Sequence, residues 1–452
     1  MSRLQTSFQS SFGITVIGAC LLAVFLCWPD KTFAQSTELT ENLQKGVALQ
    51  KSGRYSEAIA PLKRALELAL DEFGPENRQT VIIVVSLAEV LLANGQFGEA
   101  EKLYEWSLET TQETHGSEHP NVATALKKLA VVYHVQRRFE EAETLYQRAL
   151  AILEKTLGED HTTVAETLNN LAKLYQTATR YDKAEALFQR SLAIFEKALG
   201  PRDRKVAISL NNLGLLYRVQ GRLDAAEPLL KRSLAILERN LGNEHPEVAQ
   251  LVYNLAEIYR VQGHLIYAEP FYQRSLAIQK ATLGSDHPAV ARNLNGLALL
   301  YSARHRYDDA ESLFKQSLAM MEKTLGPEHV DVAAGVNNLA ELYRTQHRTE
   351  DAERLYQRSL AITRKALGPN HPDVALALNN LALLYQDQGR YGDAETLLNQ
   401  SLAILEKPDG QTHAYLAGVL NNLAAFYQSV GQASKAKAYY ERSLAVKRSQ
   451  KN

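Results

Sequence analysis

The chain has 452 residues, enough for about three ordinary domains. Hydrophobic residues make up 45% and charged residues 22%, which is the composition of a globular protein and not of a disordered segment. The formal net charge is −1, so the chain has no general electrostatic attraction to nucleic acid or to an anionic membrane, and neither is an expected partner.

Residues 1–34 have the layout of a signal peptide. Arg3 places a positive charge before an uncharged apolar run at 14–28, and Thr32 and Ala34 occupy the small-residue positions of a cleavage site after Ala34. The run is shorter than the roughly 20 residues that span a bilayer. We therefore expect an exported protein, periplasmic or extracellular. An uncleaved membrane anchor with the chain facing outside is the alternative, and contact with a membrane is expected only in that case.

Motifs of catalytic or metal chemistry are missing from the sequence. Both cysteines, Cys20 and Cys27, lie in the signal segment, so the cleaved chain would have no thiol for catalysis, disulfides or metal binding. There is no phosphate-binding glycine loop, no HExxH helix and no serine elbow. We expect neither an enzyme nor a cofactor nor a metal site.

The rest of the chain repeats with a period of 42 residues, without insertion or deletion. Ten repeats cover residues 39–448 and leave a short basic tail at 449–452. The small residue of the string "NNLA" gives the register, and an alanine follows twelve residues after it in every repeat. The small residues are Gly46, Ala88, Ala130, Ala172, Gly214, Ala256, Ala298, Ala340, Ala382 and Ala424, and the alanines run from Ala58 in steps of 42 to Ala436.

Each repeat is predicted to be a pair of helices. In repeat 4, apolar residues stand at helical spacing from Val164 to Tyr175 and again from Ala184 to Phe195, with a short polar turn between. The invariant alanine is expected where two helices cross closely, because a larger side chain would force them apart. In six repeats the turn has a glycine where a left-handed backbone is expected. These glycines are Gly53, Gly95, Gly221, Gly263, Gly389 and Gly431.

Glycine, histidine and proline mark the ends and starts of the helices. A glycine closes nine repeats, from Gly74 to Gly410, and a proline opens the first helix of four repeats. Histidines recur just before the first helices, about one helix pair apart, which is far beyond the roughly 2 Å of a metal–nitrogen bond. We interpret them as helix caps. The prolines are Pro120, Pro246, Pro288 and Pro372, and the histidines are His119, His161, His245, His287, His329, His371 and His413.

One helix pair cannot bury its apolar side alone, so neighbouring pairs must stack, which predicts an all-α solenoid. Leu171, Ala172, Tyr175, Ala184 and Phe188 resemble the small and large positions of the tetratricopeptide repeat, and the 42-residue period resembles its kinesin light chain type. The resemblance covers all ten repeats. It implies a right-handed superhelix of ten helix hairpins, a non-enzymatic scaffold for protein–protein interaction and, with the signal segment, a bacterial exported member of the family.

A row of asparagines is not required by packing. The residue two before the small residue lies off the apolar stripe, on a face that resembles the concave groove of tetratricopeptide superhelices. A carboxamide offers a donor and an acceptor to one peptide unit without reading its side chain. We predict that this row binds the main chain of an extended peptide from a partner protein; Gly296 interrupts it. The row consists of Asn170, Asn212, Asn254, Asn338, Asn380 and Asn422.

Bonds between neighbouring helices are the alternative role, because asparagine is a poor residue for the middle of a helix. That structural role is the favoured one for the residue three before the small residue. These side chains are Asn169, Asn211, Asn295, Asn337, Asn379 and Asn421.

Two further positions on this face vary from repeat to repeat. One residue after the small residue, leucine alternates with glutamate; four residues after it, arginine is frequent. Leucines beside arginines suggest a ligand with apolar and acidic side chains, whereas charges on a helix face that are merely solvated are the alternative. The candidate specificity residues are Leu215, Leu299, Leu383, Arg218, Arg260 and Arg344.

Two functions remain open at this point. The first is a scaffold that binds a peptide segment in the groove, and the asparagine row favours it. The second is a structural or self-associating array without a dedicated ligand. Tyr439, Tyr440, Leu444 and Val446 on the last helix lack the polar outer face of a capping repeat, which leaves room for self-association.

Overall fold

The computed structural model describes residues 37–406 and 415–449. Twenty α-helices, two in each repeat, occur in this part of the chain, and it contains no strand, so the all-α prediction is confirmed. The predicted signal segment at 1–34, Gly410, His413 and residues 450–452 lie outside the described residues. No helix in the described ranges is both long enough and apolar enough to cross a membrane.

We number the helices α1 to α20, so that each repeat has an odd-numbered first helix and an even-numbered second helix. The first helices are α1 (Thr37–Lys51), α3 (Arg78–Ala93), α5 (Pro120–Val135), α7 (Thr162–Thr177), α9 (Arg204–Val219), α11 (Pro246–Val261), α13 (Pro288–Ala303), α15 (Val330–Thr345), α17 (Pro372–Asp387) and α19 (Leu416–Ser429). The second helices are α2 (Tyr55–Phe73), α4 (Phe97–His115), α6 (Phe139–Leu157), α8 (Tyr181–Leu199), α10 (Leu223–Leu241), α12 (Leu265–Leu283), α14 (Tyr307–Leu325), α16 (Thr349–Leu367), α18 (Tyr391–Leu405) and α20 (Ala433–Ser449).

The described chain forms two compact bodies. The N-terminal body contains residues 37–176 and 181–293, and the C-terminal body contains residues 294–406 and 415–449 with the turn at 177–180. Within each body, helix pairs stack in chain order, and a second helix packs against the first helix of its own repeat and of the next repeat. This is the nearest-neighbour architecture of a solenoid.

The two helices of a repeat cross as closely as the sequence predicts. The invariant alanine is fully buried in repeats 1 to 9. On the facing helix the small residue is equally confined, because a Cβ added to Gly214 would lie 2.9 Å from the side chain of Leu230. A buried hydrogen bond joins the pair as well: Ser191 Oγ donates to the carbonyl of Ala165 at 2.7 Å. The same bond recurs at Ser233, Ser275, Ser359, Ser401 and Ser443.

The histidines before the first helices are caps, as predicted. Nδ1 of His119 accepts a hydrogen bond from the backbone N–H of Asn121 at 3.1 Å, which satisfies a donor that has no partner inside the helix. The same two-residue bond is made by His161, His245, His287, His329 and His371.

The turn within each repeat requires a left-handed residue. The six predicted turn glycines have φ between 73° and 79°. Four other repeats place an L-residue with a side chain in this conformation, where crowding by Cβ costs roughly 1–2 kcal/mol. These residues are Arg137, Thr179, His305 and His347, with φ between 58° and 61°.

The N-terminal body closes upon itself after six repeats. A Cβ added to Gly53, in the turn of repeat 1, would lie 2.4 Å from Cδ of Pro288 at the start of α13. The pKa of Arg54 is raised by its hydrogen bond to Glu57 and also by the charge of Asp286, in the loop before repeat 7. Burial lowers the pKa of the adjacent His287 to about 4, with a contribution from Arg292. One superhelical turn of this body therefore brings repeat 1 against the start of repeat 7.

Candidate peptide-binding face

We call first-helix face the surface formed by the residues two before, one after and four after the small residue of each first helix. Successive first helices are joined along it by their asparagines. Nδ2 of Asn380 donates to Oδ1 of Asn337 at 2.9 Å, and Nδ2 of Asn422 donates to Oδ1 of Asn379 at 2.9 Å. Asn338 is joined to Asn295 in the same way at 3.1 Å, and Asn254 to Asn211 at 2.8 Å.

These bonds change the assignment of roles made from the sequence. The asparagine three before the small residue has the structural role predicted for it, since its Oδ1 accepts the inter-repeat bond. The asparagine two before the small residue donates that bond, so it is not turned wholly toward a ligand. The bond uses only the Nδ2 of this asparagine. Within the described residues, Oδ1 of Asn338, Asn380 and Asn422 accepts no hydrogen bond, and these side chains are half-buried.

The first asparagines of the row depart from this pattern. Asn170 is half-buried and makes no hydrogen bond in the described part of the chain, because repeat 3 has Lys127 at the accepting position. Asn169 donates instead to Oγ of Ser209 at 3.0 Å. Consequently Oδ1 of Asn169 and Nδ2 of Asn212, each in a side chain only 6% exposed, have no hydrogen-bond partner among the described residues. In repeat 6, Oδ1 of Asn254 accepts a hydrogen bond from Nε2 of Gln250.

Two of the three predicted arginines are paired within their own repeats. Arg260 lies 2.9 Å from Oε2 of Glu257, a carboxylate only 3% exposed, which also accepts a hydrogen bond from the hydroxyl of Tyr272. Burial acts to raise the pKa of Glu257, but the charge and hydrogen bonds of Arg260 and its neighbours outweigh burial and lower it. The prediction of solvated or ligand-facing charge at these positions therefore misses a buried ion pair. Repeat 8 repeats the arrangement with Arg344, Glu341 and Tyr356.

In repeats 5 to 9 the alternation of leucine and glutamate on this face follows the second helix. In repeats 6 and 8 the second helix offers the hydroxyl of Tyr272 or Tyr356, and the facing residue is glutamate. In repeats 5, 7 and 9 the second helix has leucine or phenylalanine at the same position, and the facing residue is leucine. The half-buried side chains of Leu215, Leu299 and Leu383 correspond to Leu230, Phe314 and Leu398. Glutamate fifteen residues before tyrosine was the sequence signal for this pair.

Three arginines from the first helices of repeats 5 to 7 in the N-terminal body act on Tyr253, and two of them, Arg218 and Arg260, belong to the first-helix face. Burial raises the pKa of Tyr253 well above its usual value, and the positive charges of Arg292, Arg260 and Arg218 oppose that shift. Arg218 acts on Glu257 as well. Two guanidinium groups therefore act on the carboxylate of Glu257, and Arg292 acts on Tyr253. Nε of Arg218 is buried without a hydrogen-bond partner among the described residues.

Lysines and a histidine extend this basic character toward repeat 3. Burial lowers the pKa of Lys173, which takes the position of Leu215 in repeat 4. The neighbouring His134 is buried, and its pKa is lowered to about 3 by burial and by the charges of Arg137 and Lys173. The ring is therefore neutral at physiological pH. Two other lysines form ion pairs between first helices: Lys128 with Glu89, and Lys205 with Glu166 at 2.7 Å.

Most other periodic charges join one repeat to the next. The hydroxyl of Tyr217 donates to Oε1 of Glu185 at 2.7 Å, and Arg222 bonds Oε2 of the same carboxylate at 2.8 Å while lying over the tyrosine ring. The same three residue types meet in later repeats, so these charges hold the stack together. The described residues contain no group of three or more histidine, cysteine or carboxylate side chains placed to bind a metal ion. The later sets are Tyr343, Glu311 and Arg348, and Tyr385, Glu353 and Arg390.

Family comparison agrees with the geometry of the repeats. The family model of the tetratricopeptide repeat matches residues 36–113, 80–155, 121–197, 205–265, 247–323 and 324–407, and a second model of the same repeat matches 416–449. The chain is a tetratricopeptide repeat protein. Proteins of this family are generally non-enzymatic scaffolds for protein–protein interaction. No curated protein matches its sequence.

Three solved structures illustrate what the tetratricopeptide repeat protein is similar to. BtubC (BKLC) from P. vanneervenii is 28% identical over 51% of this chain and 92% of its own, with a TM-score of 0.41. A P. anserina protein of nearly identical TPR-like repeats, named after kinesin light chain, is 29% identical over 46% of this chain and 98% of its own, with a TM-score of 0.39. A Rap protein complexed with Competence and Sporulation Factor is 13% identical, covers 91% of this chain and 98% of its own, and has a TM-score of 0.50, a likeness of fold alone.

Proposed function

We propose that this tetratricopeptide repeat protein binds an extended peptide segment of a partner protein on its first-helix face. The observation that carries the proposal is the row of unused acceptors in repeats 8 to 10. Each of Asn338, Asn380 and Asn422 is held by its Nδ2 bond to the preceding repeat and presents an Oδ1 that accepts no hydrogen bond within the described residues. The inter-repeat bond fixes the side chain before a ligand arrives, so little ordering remains to oppose binding.

The spacing of this row suits a peptide main chain. Packed helices lie about 10 Å apart, and an extended peptide rises about 3.3 Å per residue. Each asparagine would thus accept a hydrogen bond from the backbone N–H of roughly every third ligand residue. Such contacts bind an extended chain without selecting its side chains.

In the N-terminal body the arginine cluster adds a preference for acidic side chains. Arg218 and Arg260 act on the single carboxylate of Glu257, which leaves one positive charge in excess. A ligand carboxylate would give the unpartnered Nε of Arg218 an acceptor, and guanidinium groups bind carboxylates with two parallel bonds.

We place this function outside the cytoplasm, in the periplasm or beyond the cell, because residues 1–34 have the layout of a signal peptide. The partner would then be a protein of the envelope or of the extracellular space. An anchor that stays uncleaved would keep the same face outside the membrane.

The test is calorimetry on peptides selected from a random twelve-residue display library, with affinity expressed per folded molecule. Asn338→Ala, Asn380→Ala and Asn422→Ala should each weaken binding about 2- to 10-fold, from the roughly 0.5–1.5 kcal/mol of a hydrogen bond. The loss should be similar for peptides of different sequence. Asn243→Ala, in an exposed loop, is the control and should leave affinity unchanged.

The acidic preference has its own pair of variants. Arg218→Gln should weaken acidic peptides and spare neutral ones, whereas Arg239→Gln, exposed on a second helix, should change neither. Affinity that is unchanged in all three asparagine variants would contradict a main-chain row. An equal effect of Arg218→Gln on acidic and neutral peptides would contradict the assignment of the arginine cluster.

A further inference from the structure

The first helices of the N-terminal body lie on the inner side of its closed turn. Successive first helices contact each other directly, as α1 and α3 do and as α9 and α11 do, and Asn254 bonds Asn211 of the preceding repeat. Neighbouring repeats come closest to each other on the inside of a curve. The first-helix face of repeats 1 to 6 therefore points inward, and the contact of Gly53 with Pro288 completes the wall around it.

Charges from repeats that are not neighbours act on the same groups across this inner face. Burial lowers the pKa of Lys127 in repeat 3, and the charge of Lys205 in repeat 5 contributes to that shift. Arg292 of repeat 7 and Arg218 of repeat 5 both oppose the rise that burial imposes on the pKa of Tyr253 in repeat 6. In a straight stack, side chains two repeats apart would be about 20 Å from each other. They come closer here because the turn is narrow.

Equal positions are less exposed in the N-terminal body than in the C-terminal body. The side chains of Arg260 and Glu257 in repeat 6 are 12% and 3% exposed, whereas the same arginine–glutamate pair of repeat 8 is 25% and 24% exposed. Asn212 and Asn254 are buried, whereas the asparagines of the row in repeats 8 to 10 are half-buried. The inner face of the N-terminal body is therefore the more enclosed of the two.

Six first helices around one turn leave a narrow space, which we call the inner channel. Neighbouring helix axes lie about 10 Å apart, so six of them form a ring with a radius of about 10 Å. Each helix with its side chains occupies about 5 Å of that radius. A channel about 10 Å wide remains. An extended chain measures about 5 by 10 Å in cross-section and fits, whereas a folded domain of 100 residues has a radius of gyration of about 13 Å and does not.

We propose that the inner channel takes a free chain end of its partner, an unfolded acidic segment that enters along the axis of the turn. An internal loop of a folded protein has folded structure on both sides, and the contact of Gly53 with Pro288 closes the side through which a loop would be laid in. The acidic side chains of the segment would reach Arg218 on the channel wall. The inference rests on the peptide binding proposed above and names the class of ligand that the N-terminal body accepts.

Thiol labelling tests the enclosure without any ligand. The chain from Gln35 contains every described residue and has no cysteine, so Leu215→Cys places a single thiol on the channel wall. It should react with N-ethylmaleimide and with a maleimide at the end of an unfolded Gly-Ser peptide. A maleimide on the surface of a folded domain should react about 10- to 1000-fold more slowly than it does with Leu199→Cys, exposed at the end of a second helix, because minor open states are populated at about 0.1–10%.

The closing contact offers a matched pair of variants. Gly53→Glu adds a charged side chain against the ring of Pro288, so the wall should open and the folded carrier should label Leu215→Cys rapidly. Gly263→Glu has the same left-handed backbone, with a φ of 79° against 73°, but a Cβ there meets nothing within 4 Å, so labelling should stay slow. Circular dichroism must show that both variants keep the helical content of the unmodified chain.

The class of ligand is tested with an acidic twelve-residue peptide from the display library, one whose affinity falls in Arg218→Gln. Fused at one end to a folded domain through a flexible linker, this peptide should bind as tightly as it does when free. Fused to folded domains at both ends, it should bind about 10- to 1000-fold more weakly. Gly53→Glu should restore most of the lost affinity, and Gly263→Glu should not.

The possible failures are distinguishable. Rapid labelling of Leu215→Cys by the folded carrier in the unmodified background would contradict the enclosure, and no reaction with N-ethylmaleimide would mean that the channel is too full for a ligand. Equal binding of the singly and doubly fused peptides would overturn the chain-end ligand. A library without any peptide that depends on Arg218 would refute acidic binding in this body, and the chain-end ligand with it, whatever the labelling shows of the enclosure.

Discussion

Replacing Asn380 by alanine tests the inter-repeat asparagine bond most directly. Nδ2 of Asn380 is the donor to Oδ1 of Asn337, 2.9 Å away, and Asn337 is only 6% exposed. The substitution leaves that buried acceptor without its donor. It reverses the expectation from the sequence alone, in which a ligand-facing asparagine could be removed with little effect on folding.

The magnitude follows from three contributions. An unpaired buried acceptor costs about 1–3 kcal/mol. Alanine improves helix propensity by roughly 0.5 kcal/mol over asparagine. Asn380 is half-buried, so water can reach part of the vacated space and moderate the loss. We expect a net destabilisation of about 1–2 kcal/mol, and a coupling of about 0.5–1.5 kcal/mol between the two residues in a cycle with Asn337→Ala.

The assay is hydrogen exchange followed by mass spectrometry, because a long repeat array does not unfold in one step and a single melting temperature would average over its repeats. Protection should fall in α15 and α17 and remain in the first repeats. Asn170→Ala is the matched control, since Asn170 has the same place in its helix and no hydrogen bond within the described residues. Equal losses in the two variants, or a coupling near zero, would refute the reasoning.

Four further outcomes are expected. Gly53→Ala should destabilise the N-terminal body by about 1 kcal/mol more than Gly263→Ala in urea unfolding, because both have positive φ but only Gly53 meets a proline ring. Between pH 6.5 and 5.0 only the unfolded state takes up a proton at His134, because the pKa of this side chain is about 3 in the folded chain against 6.5 in the unfolded chain, and the unmodified chain should lose about 2 kcal/mol of stability for this reason. His134→Gln should abolish this part of the loss. His347→Gly should raise stability by about 0.5–1 kcal/mol in thermal melts, because glycine has no Cβ to be crowded at a φ of 59°. Mass spectrometry of envelope protein should find Gln35 as the first residue, whereas an intact Met1 in the membrane pellet would indicate the anchor.

Periodic features were predictable because one period supplies many copies of the same signal. The alternation of helix, turn and helix, the left-handed glycines and the capping by residues such as His119 follow from local backbone rules. The buried alanines followed as well, since a residue that must be small in all ten repeats can only lie where two helices cross.

The candidate site was predicted only in part, because its bonds join residues far apart in sequence. The faces of Asn337 and Asn380 were predictable, but which of the two donates depends on how adjacent repeats are offset. Arg260 reads as a charge available to a ligand until Glu257 and Tyr272 are brought beside it by the helix pair. The contact of Gly53 with repeat 7 has no signal in the sequence around either residue, because it depends on the accumulated rotation of six repeats.

That closing contact has a consequence for synthesis of the chain. Most contacts of a solenoid form as soon as the next repeat leaves the ribosome, but the partner of Gly53 is made six repeats later. At about 5–20 residues per second, the turn of repeat 1 waits roughly 10 to 50 s for Pro288. During that interval any neighbouring nascent chain that has already made its own seventh repeat can offer the same proline. Crowded translation on one messenger therefore favours exchange between chains, and slower initiation favours closure within one.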